Sequence, residues 1–381
     1  MIKLPKLRKR RVPSDSPWVI SLTTLFSILL ALVVGGILFL PFGADPLQAY
    51  FSMFQKSFGD LRGVGFTLVR ATPLIFIGLG TIVAWRTGFF YLGFEGSLMV
   101  GAAMTVWLAL GVGKLGSLSL GLQLAAFGLI FLASFLAGGV WAAIVGVLRS
   151  RFGGNEVIIS LMMNYIAVFM INYLVSGPLR APGDLPQTPR ISQELVLPFI
   201  IPDTRAHAGI IAAVVAALLV WFMLRKTPLG YELIVSGLSP DAARYGGIDV
   251  PSRQIISSFM AGGLAAWAGL VTVLGVQYRL LDGIAQGTGF TGIVAALLGK
   301  LTPLGTVVAS ILYAGMGVGA EAMQRQANLP SSVIFIVQSL IVLFLLASDF
   351  LRYYRVEFGS AEAVEESGTS VLDTRPSERE E

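Results

Sequence analysis

Between Trp18 and Leu40 the chain runs through about 23 residues without one charged side chain. About 20 apolar residues suffice to cross the hydrocarbon core of a bilayer. A secretory leader has a shorter apolar core, about 7–15 residues, and a small-residue cleavage site. Here Pro41-Phe42 follow instead, so the run reads as an uncleaved first transmembrane helix. Further apolar stretches lie at about 66–85, 90–110, 119–148, 155–177, 208–224, 255–276, 288–300, 303–322 and 331–350. This repetition predicts an all-α, polytopic integral membrane protein with about ten transmembrane helices. The stretch 288–300 is too short for a full span. It reads as a half-helix, which membranes tolerate only where protein buries it or a cavity lines it. Composition agrees: 13% of residues are charged and 55% hydrophobic, against about 25% charged in soluble proteins, and the mean hydropathy is +0.77. A soluble enzyme, a disordered chain and a nucleic-acid binder are excluded.

Charge sets the orientation. With the N-terminus inside and ten alternating spans, the inside holds 18 of the 27 Lys+Arg and the outside 9. That bias follows the positive-inside rule. Residues 1–17 then form a basic cytoplasmic N-terminus and 18–350 the membrane domain. Within that domain 178–207 is a Pro-rich outer loop and 225–254 an inner segment. Residues 351–381 form an acidic cytoplasmic tail; eight of the 22 Asp+Glu fall within 356–381. So polar a tail cannot bury enough apolar area to offset its ordering entropy, and it reads as disordered.

Several chemistries drop out. There is no cysteine, so no disulfide, thiolate zinc site or iron–sulfur cluster forms, and the single histidine, His207, precludes a multi-histidine metal site. Gly287-Thr-Gly289-Phe-Thr-Gly292 matches a dinucleotide fingerprint in letters. It sits between membrane segments and lacks the acidic residue about 20 positions on, so it reads as close helix packing. Gly299-Lys300 lacks both the earlier Gly and the following Ser or Thr of a P-loop; Val294 and Leu301 stand there. The chain has no recognisable ATP site of its own, and no acid–base or nucleophile–base set is apparent in its spans.

Polar residues inside apolar runs are the candidate sites. Glu95, in GFFYLGFEGSLMVGAA, is the one acid placed well inside a span. Such a residue faces the bundle interior or a cavity. It serves either as a proton relay, coupling-ion site or path wall, or as a structural carboxyl of an interrupted helix. Glu156 follows Asn155 at a span start, where a cap and an acid suit the helix dipole. Asn164, Tyr165 and Gln338 either meet a polar solute or join two helices. In the inner segment a short helix is expected over about 240–245, with Ser239 as its cap and Asp241 in the first turn. It is either a docking surface or an interfacial loop. A faint echo links LGTIVAWRTGFFYLGFEG with LVTVLGVQYRLLDGIAQGTGFTG. The two run in opposite senses, as inverted repeats do.

Taken together, these segments resemble a known family. GFFYLGFEGSLMVGAA is similar to a signature of the branched-chain amino acid and simple-sugar type permeases of ABC importers. NEVIISLMMNYIAVFM, PGDLPQTPRI and GTGFTGIVAALLGKLTPLGTVVASILYAG resemble its nucleoside-transport branch. Leu92-Gly93-Phe94, where the signature has Asn-Ile-Gly, and Ser97, where it has Gln, depart from it. TPLGYELIVSGLSPDAARYGGI resembles the cytoplasmic coupling segment, which implies a docking role for Gly230, Tyr231, Asp241, Arg244, Tyr245 and Gly246. The resemblance runs from about Trp18 to Asp349. It implies a permease subunit of the bacterial cytoplasmic (inner) membrane, carrying a nucleoside or simple sugar. Its implied partners are a cytoplasmic ATP-binding subunit that uses the ATP, a second, different permease chain and an extracytoplasmic solute-binding lipoprotein, with the lipid bilayer around it and no nucleic acid. No cofactor is expected on this chain. Against this stands an ion-coupled secondary carrier with Glu95 as its coupling residue.

Overall fold

The computed structural model describes residues 6–9, 29–30, 32–37, 39–42, 45–114, 116, 119–201, 204–327, 336, 339–340, 342–344 and 354–357. The chain forms two units, Gly36–Gln338 and a smaller one built from Met1–Gly35 with Ser339–Glu381. In the smaller unit β1 (Lys6–Lys9) pairs antiparallel with β2 (Tyr354–Glu357), Lys6 lying opposite Glu357. β2 falls within the tail expected to be disordered. At these four residues the antiparallel backbone pairing supplies the order. The rest of the tail lies outside the described residues, as do Gln338 and most of the expected first and last spans.

The larger unit is helical. In chain order come α1 (Pro46–Phe58), α2 (Leu61–Arg86), α3 (Phe94–Gly113), α4 (Leu120–Phe152), α5 (Glu156–Ser176), α6 (Gly209–Lys226), α7 (Pro228–Leu238), α8 (Pro240–Tyr245), α9 (Val250–Thr272), α10 (Thr288–Leu298) and α11 (Pro303–Ala327). A π-helical turn, Val273–Gln277, extends α9. Among the described residues seven helices are long and apolar enough to cross a membrane: α2 to α6, α9 with its π turn, and α11. These match seven of the expected spans. The stretch 288–300 is indeed short: α10 has 11 residues, a length of about 16 Å at 1.5 Å per residue, roughly half a membrane.

Local chemistry sets the ends of these helices. Asn155 Oδ1 accepts from the N–H of Val157 at 3.0 Å and of Ile158 at 3.2 Å, the expected cap of α5. Asp45, Ser119, Thr227 and Ser239 cap α1, α4, α7 and α8 in the same way. Each such cap contributes about 1 kcal/mol. α4 stops at Gly153, whose φ of +68° suits glycine.

α9 lies at the centre, packed against α2, α3 and α4. Small residues let these backbones touch. A Cβ at Gly269 would lie 2.1 Å from Leu98 O, and one at Gly262 2.2 Å from Gly138 O. Trp267 of α9 stacks on Phe131, 4.1 Å between centroids, and donates its Nε1–H to Phe131 O at 2.9 Å.

Two helices were not anticipated. α1 exposes Leu47, Phe51 and Phe54 on one face and packs its other side on α11, where Ser57 Oγ donates to Gly315 O at 2.6 Å. At 13 residues it is too short to span, and its apolar stripe suits a helix lying in the membrane interface. α7 occupies sequence rich in Pro and Gly that reads as loop. Pro228 is tolerated because it stands in the first turn, where no intrahelical donor is lost.

Candidate functional site

The site begins where the chain breaks between α2 and α3. Residues 87–93 leave helical geometry, with Gly88 at φ +73°. Backbone groups freed where the chain is buried need partners, and side chains supply them. Ser160 Oγ of α5 accepts from Leu92 N at 3.1 Å. Trp85 Nε1 donates to Tyr91 O at 3.4 Å. The buried Tyr91 hydroxyl donates to Gly93 O at 2.9 Å and lies 2.7 Å from Ser97 Oγ. Ser97, one of the positions that depart from the family signature, is therefore part of the scaffold that fixes the break.

Asn164 completes this scaffold. Its Oδ1 accepts from Gly96 N at 2.8 Å and its Nδ2 donates to Leu92 O at 3.0 Å. Both halves of the amide are thus spent on bracing the break against α5. Its neighbour Tyr165 points to the other side of α5, 62% exposed, beside the exposed Ile158, Met162, Phe169 and Tyr173. The structure brings Glu95 and Asn164 to one turn and places Tyr165 apart from them.

Glu95 stands in the first turn of α3. Its Oε1 accepts from Gly287 N at 2.7 Å, a contact across 192 residues. Gly287, at φ +77°, opens α10. Two glycines of the fingerprint-like motif make the approach feasible. A Cβ at Gly289 would lie 2.6 Å from Glu95 N, and one at Gly292 would lie 2.4 Å from Ile77 Cγ2. The motif packs helices closely. Glu95 Oε2 is buried and has no partner among the described residues; neither has Trp141 Nε1, which packs on Gly96. A buried acceptor and a buried donor without partners among the described residues thus lie beside consecutive residues. An unmet buried polar group costs about 1–3 kcal/mol. Trp141, Ser160, Gly287 and Gly289 carry no local signal that would assign them to this place.

The second half of the site lies at the end of the bundle that carries α7 and α8. α8 spans Pro240–Tyr245 as expected, capped by Ser239 Oγ, with Ala242 N at 3.4 Å. Asp241 and Arg244 pair along its exposed side at 2.9 Å, and Tyr245 is 98% exposed. Gly246 follows in near-helical geometry and closes the helix, its N–H bonding Ala242 O. Tyr231 of α7 is exposed as well. Gly230 is buried, because a Cβ there would meet Met223 O at 2.1 Å. α7 is clamped to α9 by Glu232 and Arg253, 2.8 Å apart. Gly237, which sequence reasoning passed over, rests directly on the break: a Cβ there would lie 2.1 Å from Arg86 O and 2.8 Å from Gly88 N. α7, which leads into the exposed helix, therefore rests on the chain just ahead of the Glu95 turn.

Glu156 is held by Arg149 at 3.1 Å, an ion pair at the α4–α5 corner. His207 lies far along the chain from all of these, in the loop before α6.

Residues 63–361 match the family described as branched-chain amino acid transport system, permease component. The chain is 37% identical to the guanosine ABC transporter permease protein NupP of Bacillus subtilis, over 87% of this chain and 94% of that protein. It is 33% identical to the glucose ABC transporter permease protein TsgB13 of Haloferax volcanii, over 91% and 92% respectively. It is 29% identical to the nucleoside ABC transporter permease protein NupB of Lactococcus lactis, over 85% and 90%. No solved structure matches the chain. The chain belongs to the family of branched-chain amino acid-type permease components and is a membrane transport subunit, not an enzyme.

Proposed function

We propose that this chain is the permease subunit of an ATP-driven importer and carries a nucleoside, with a simple sugar as the second choice. ATP is bound and hydrolysed by a separate cytoplasmic subunit that seats on α8. The observation that carries the reading is the linkage just described: an exposed, capped helix at one end, and Gly237 resting on the break that holds Glu95. Docking on α8 moves α7, α7 moves the 86–88 turn, and that turn positions Glu95. ATP binding and release then bias inward- and outward-facing states through different contacts in each, and the solute moves unchanged.

In this reading Glu95 Oε2 accepts an O–H or N–H of the solute, and Asn164 positions the turn. Gln338, beyond the described residues, is a further member of the path, whereas Tyr165, on the exposed side of α5, is not. The nucleoside assignment draws on the relatives named for guanosine and nucleoside transport. The chain is also 27% identical to NupQ, a second guanosine ABC transporter permease protein of Bacillus subtilis, over 65% of its length. That supports a second, different permease chain as partner. A solute-binding lipoprotein outside, the bacterial cytoplasmic membrane and cytoplasmic termini complete the proposal. The meeting of Glu95 with Gly287 supports the inverted-repeat reading, since each belongs to one of the two echoing segments.

A pull-down tests this. The chain is tagged at its acidic tail, extracted from its host in mild detergent, and its companions identified. An ATP-binding subunit and a second permease are the expected companions. A chain that purifies alone, and is active alone, contradicts the proposal.

A further inference from the structure

At the end of the bundle where α2 and α6 finish and α11 begins, Arg86 and Arg225 line one cavity of about 240 Å³, together with Trp221, Thr302 and Leu304. Two like charges in one small cavity repel, so such a pair is normally met by an anion. No carboxylate of the described residues does this. The ion pairs among the described residues are Arg70–Glu321, Arg149–Glu156, Arg244–Asp241 and Arg253–Glu232, and none includes either of these arginines. Arg86 is fixed by its Nε–H, which donates to Leu301 O at 3.1 Å. A guanidinium has five N–H donors, so four remain. Arg225 lies 5.8 Å from the centroid of the Trp221 ring, a cation–π contact that holds it against the wall. Thr302 and Pro303 begin α11, whose first-turn N–H groups add partial positive charge.

The other half of the lining is apolar. Leu224 is buried beside the arginines, and Leu304 is half exposed at the mouth. A cavity that is cationic on one side and greasy on the other, set at the ends of spanning helices, fits a phosphate that carries acyl chains. We infer that Arg86 and Arg225 hold the phosphodiester of an anionic phospholipid. The site lies at the headgroup level of the cytoplasmic leaflet in the orientation proposed above, and the leaflet assignment alone rests on that orientation. Basic pockets between spanning helices on that side recruit anionic headgroups generally.

The shared chemistry, a phosphate oxyanion, has a soluble source as well, and the test separates the two. The purified assembly is stripped of lipid. Retention of dioleoyl phosphatidylglycerol, dioleoyl phosphatidylcholine and inorganic phosphate is then measured by native mass spectrometry and binding titration. Arg225→Gln is the test variant, because Arg86 also anchors the 300–302 turn. Phosphatidylglycerol binding is expected to weaken about tenfold in Arg225→Gln and to be largely kept in Arg225→Lys. Phosphatidylcholine, whose choline cation is repelled by the two arginines, is expected to bind wild type more weakly than phosphatidylglycerol and to lose less in Arg225→Gln. The lysine variant also reports that a loss is not a folding defect. Equal phosphatidylglycerol retention by wild type and Arg225→Gln overturns the inference. So does Arg225-dependent binding of inorganic phosphate with no preference between the two lipids, which makes this a soluble-anion site. Loss of a protein partner from Arg225→Gln with lipid retention unchanged also overturns it, in favour of a partner's carboxylate. Because the readout is lipid retention, a failed transport assignment leaves it interpretable.

Discussion

Glu95 has one oxygen on the Gly287 N–H at 2.7 Å and the other on nothing among the described residues. Glutamine keeps an acceptor for Gly287 but puts an NH2 where the buried, unpartnered oxygen stands. Glu95→Gln is therefore expected to raise the solute KM about tenfold, equivalent to about 1.4 kcal/mol, with thermal stability unchanged. Glu95→Ala strands the Gly287 N–H and is expected to cost about 1–3 kcal/mol of stability besides. An unchanged KM in Glu95→Gln would make the carboxyl structural only. His207 supplies a second residue-scale prediction. It is 2% exposed, its Nδ1 accepts from Gly209 N at 3.2 Å, and burial pushes its pKa down to about 4. The folded chain thus prefers the neutral ring, while the unfolded chain takes up a proton below about pH 6.5. Stability from this group is full above that pH and falls as pH drops toward 4. The melting temperature of wild type should fall between pH 7 and 5 by more than that of His207→Gln; parallel curves would contradict this. Glu95 itself was legible, because a lone acid in an apolar run is conspicuous. Its partner was not, since Gly287 is 192 residues away and one glycine among 44. Asn164 was legible as polar. That both halves of its amide go to the backbone at Leu92 and Gly96 depends on a helix break whose geometry no local pattern gives.

Among the elements, the spans were readable because bilayer thickness imposes a length and lipid imposes an apolar surface. The short α10 was readable for the same reason, by failing the length. α1 and α7 were not, because mixed or Pro- and Gly-containing sequence of 13 and 11 residues meets neither criterion. The α7–α8 unit carries the coupling argument, and its exposed residues can be changed without touching the core. Arg244→Ala with Tyr245→Ala is expected to lower solute-stimulated ATP hydrolysis of the assembly several-fold while membrane insertion and melting temperature stay as in wild type. Normal hydrolysis would remove α8 from the coupling path. Gly237→Ala tests the joint itself. A Cβ there would lie 2.1 Å from Arg86 O, so either α7 or the 86–88 turn must shift, at a cost of about 1–3 kcal/mol. The variant is expected to hydrolyse ATP while losing solute stimulation. A fully coupled Gly237→Ala would show that the contact transmits nothing.

For the whole molecule, the composition excluded soluble enzymes and nucleic-acid binders, and the order of several motifs along the chain identified the family. The solute was not legible, because one carboxyl oxygen and one indole N–H without partners among the described residues suit many hydroxyl- and amide-bearing molecules. The central claim is that solute moves through this chain at the expense of a partner's ATP. Guanosine uptake is therefore measured in liposomes holding the complete assembly, with and without ATP on the cytoplasmic side, and with a protonophore throughout. The account predicts uptake that requires ATP and ignores the protonophore. Uptake by this chain alone, without ATP, driven by a proton gradient and abolished in Glu95→Gln, would contradict it and make the chain an ion-coupled carrier.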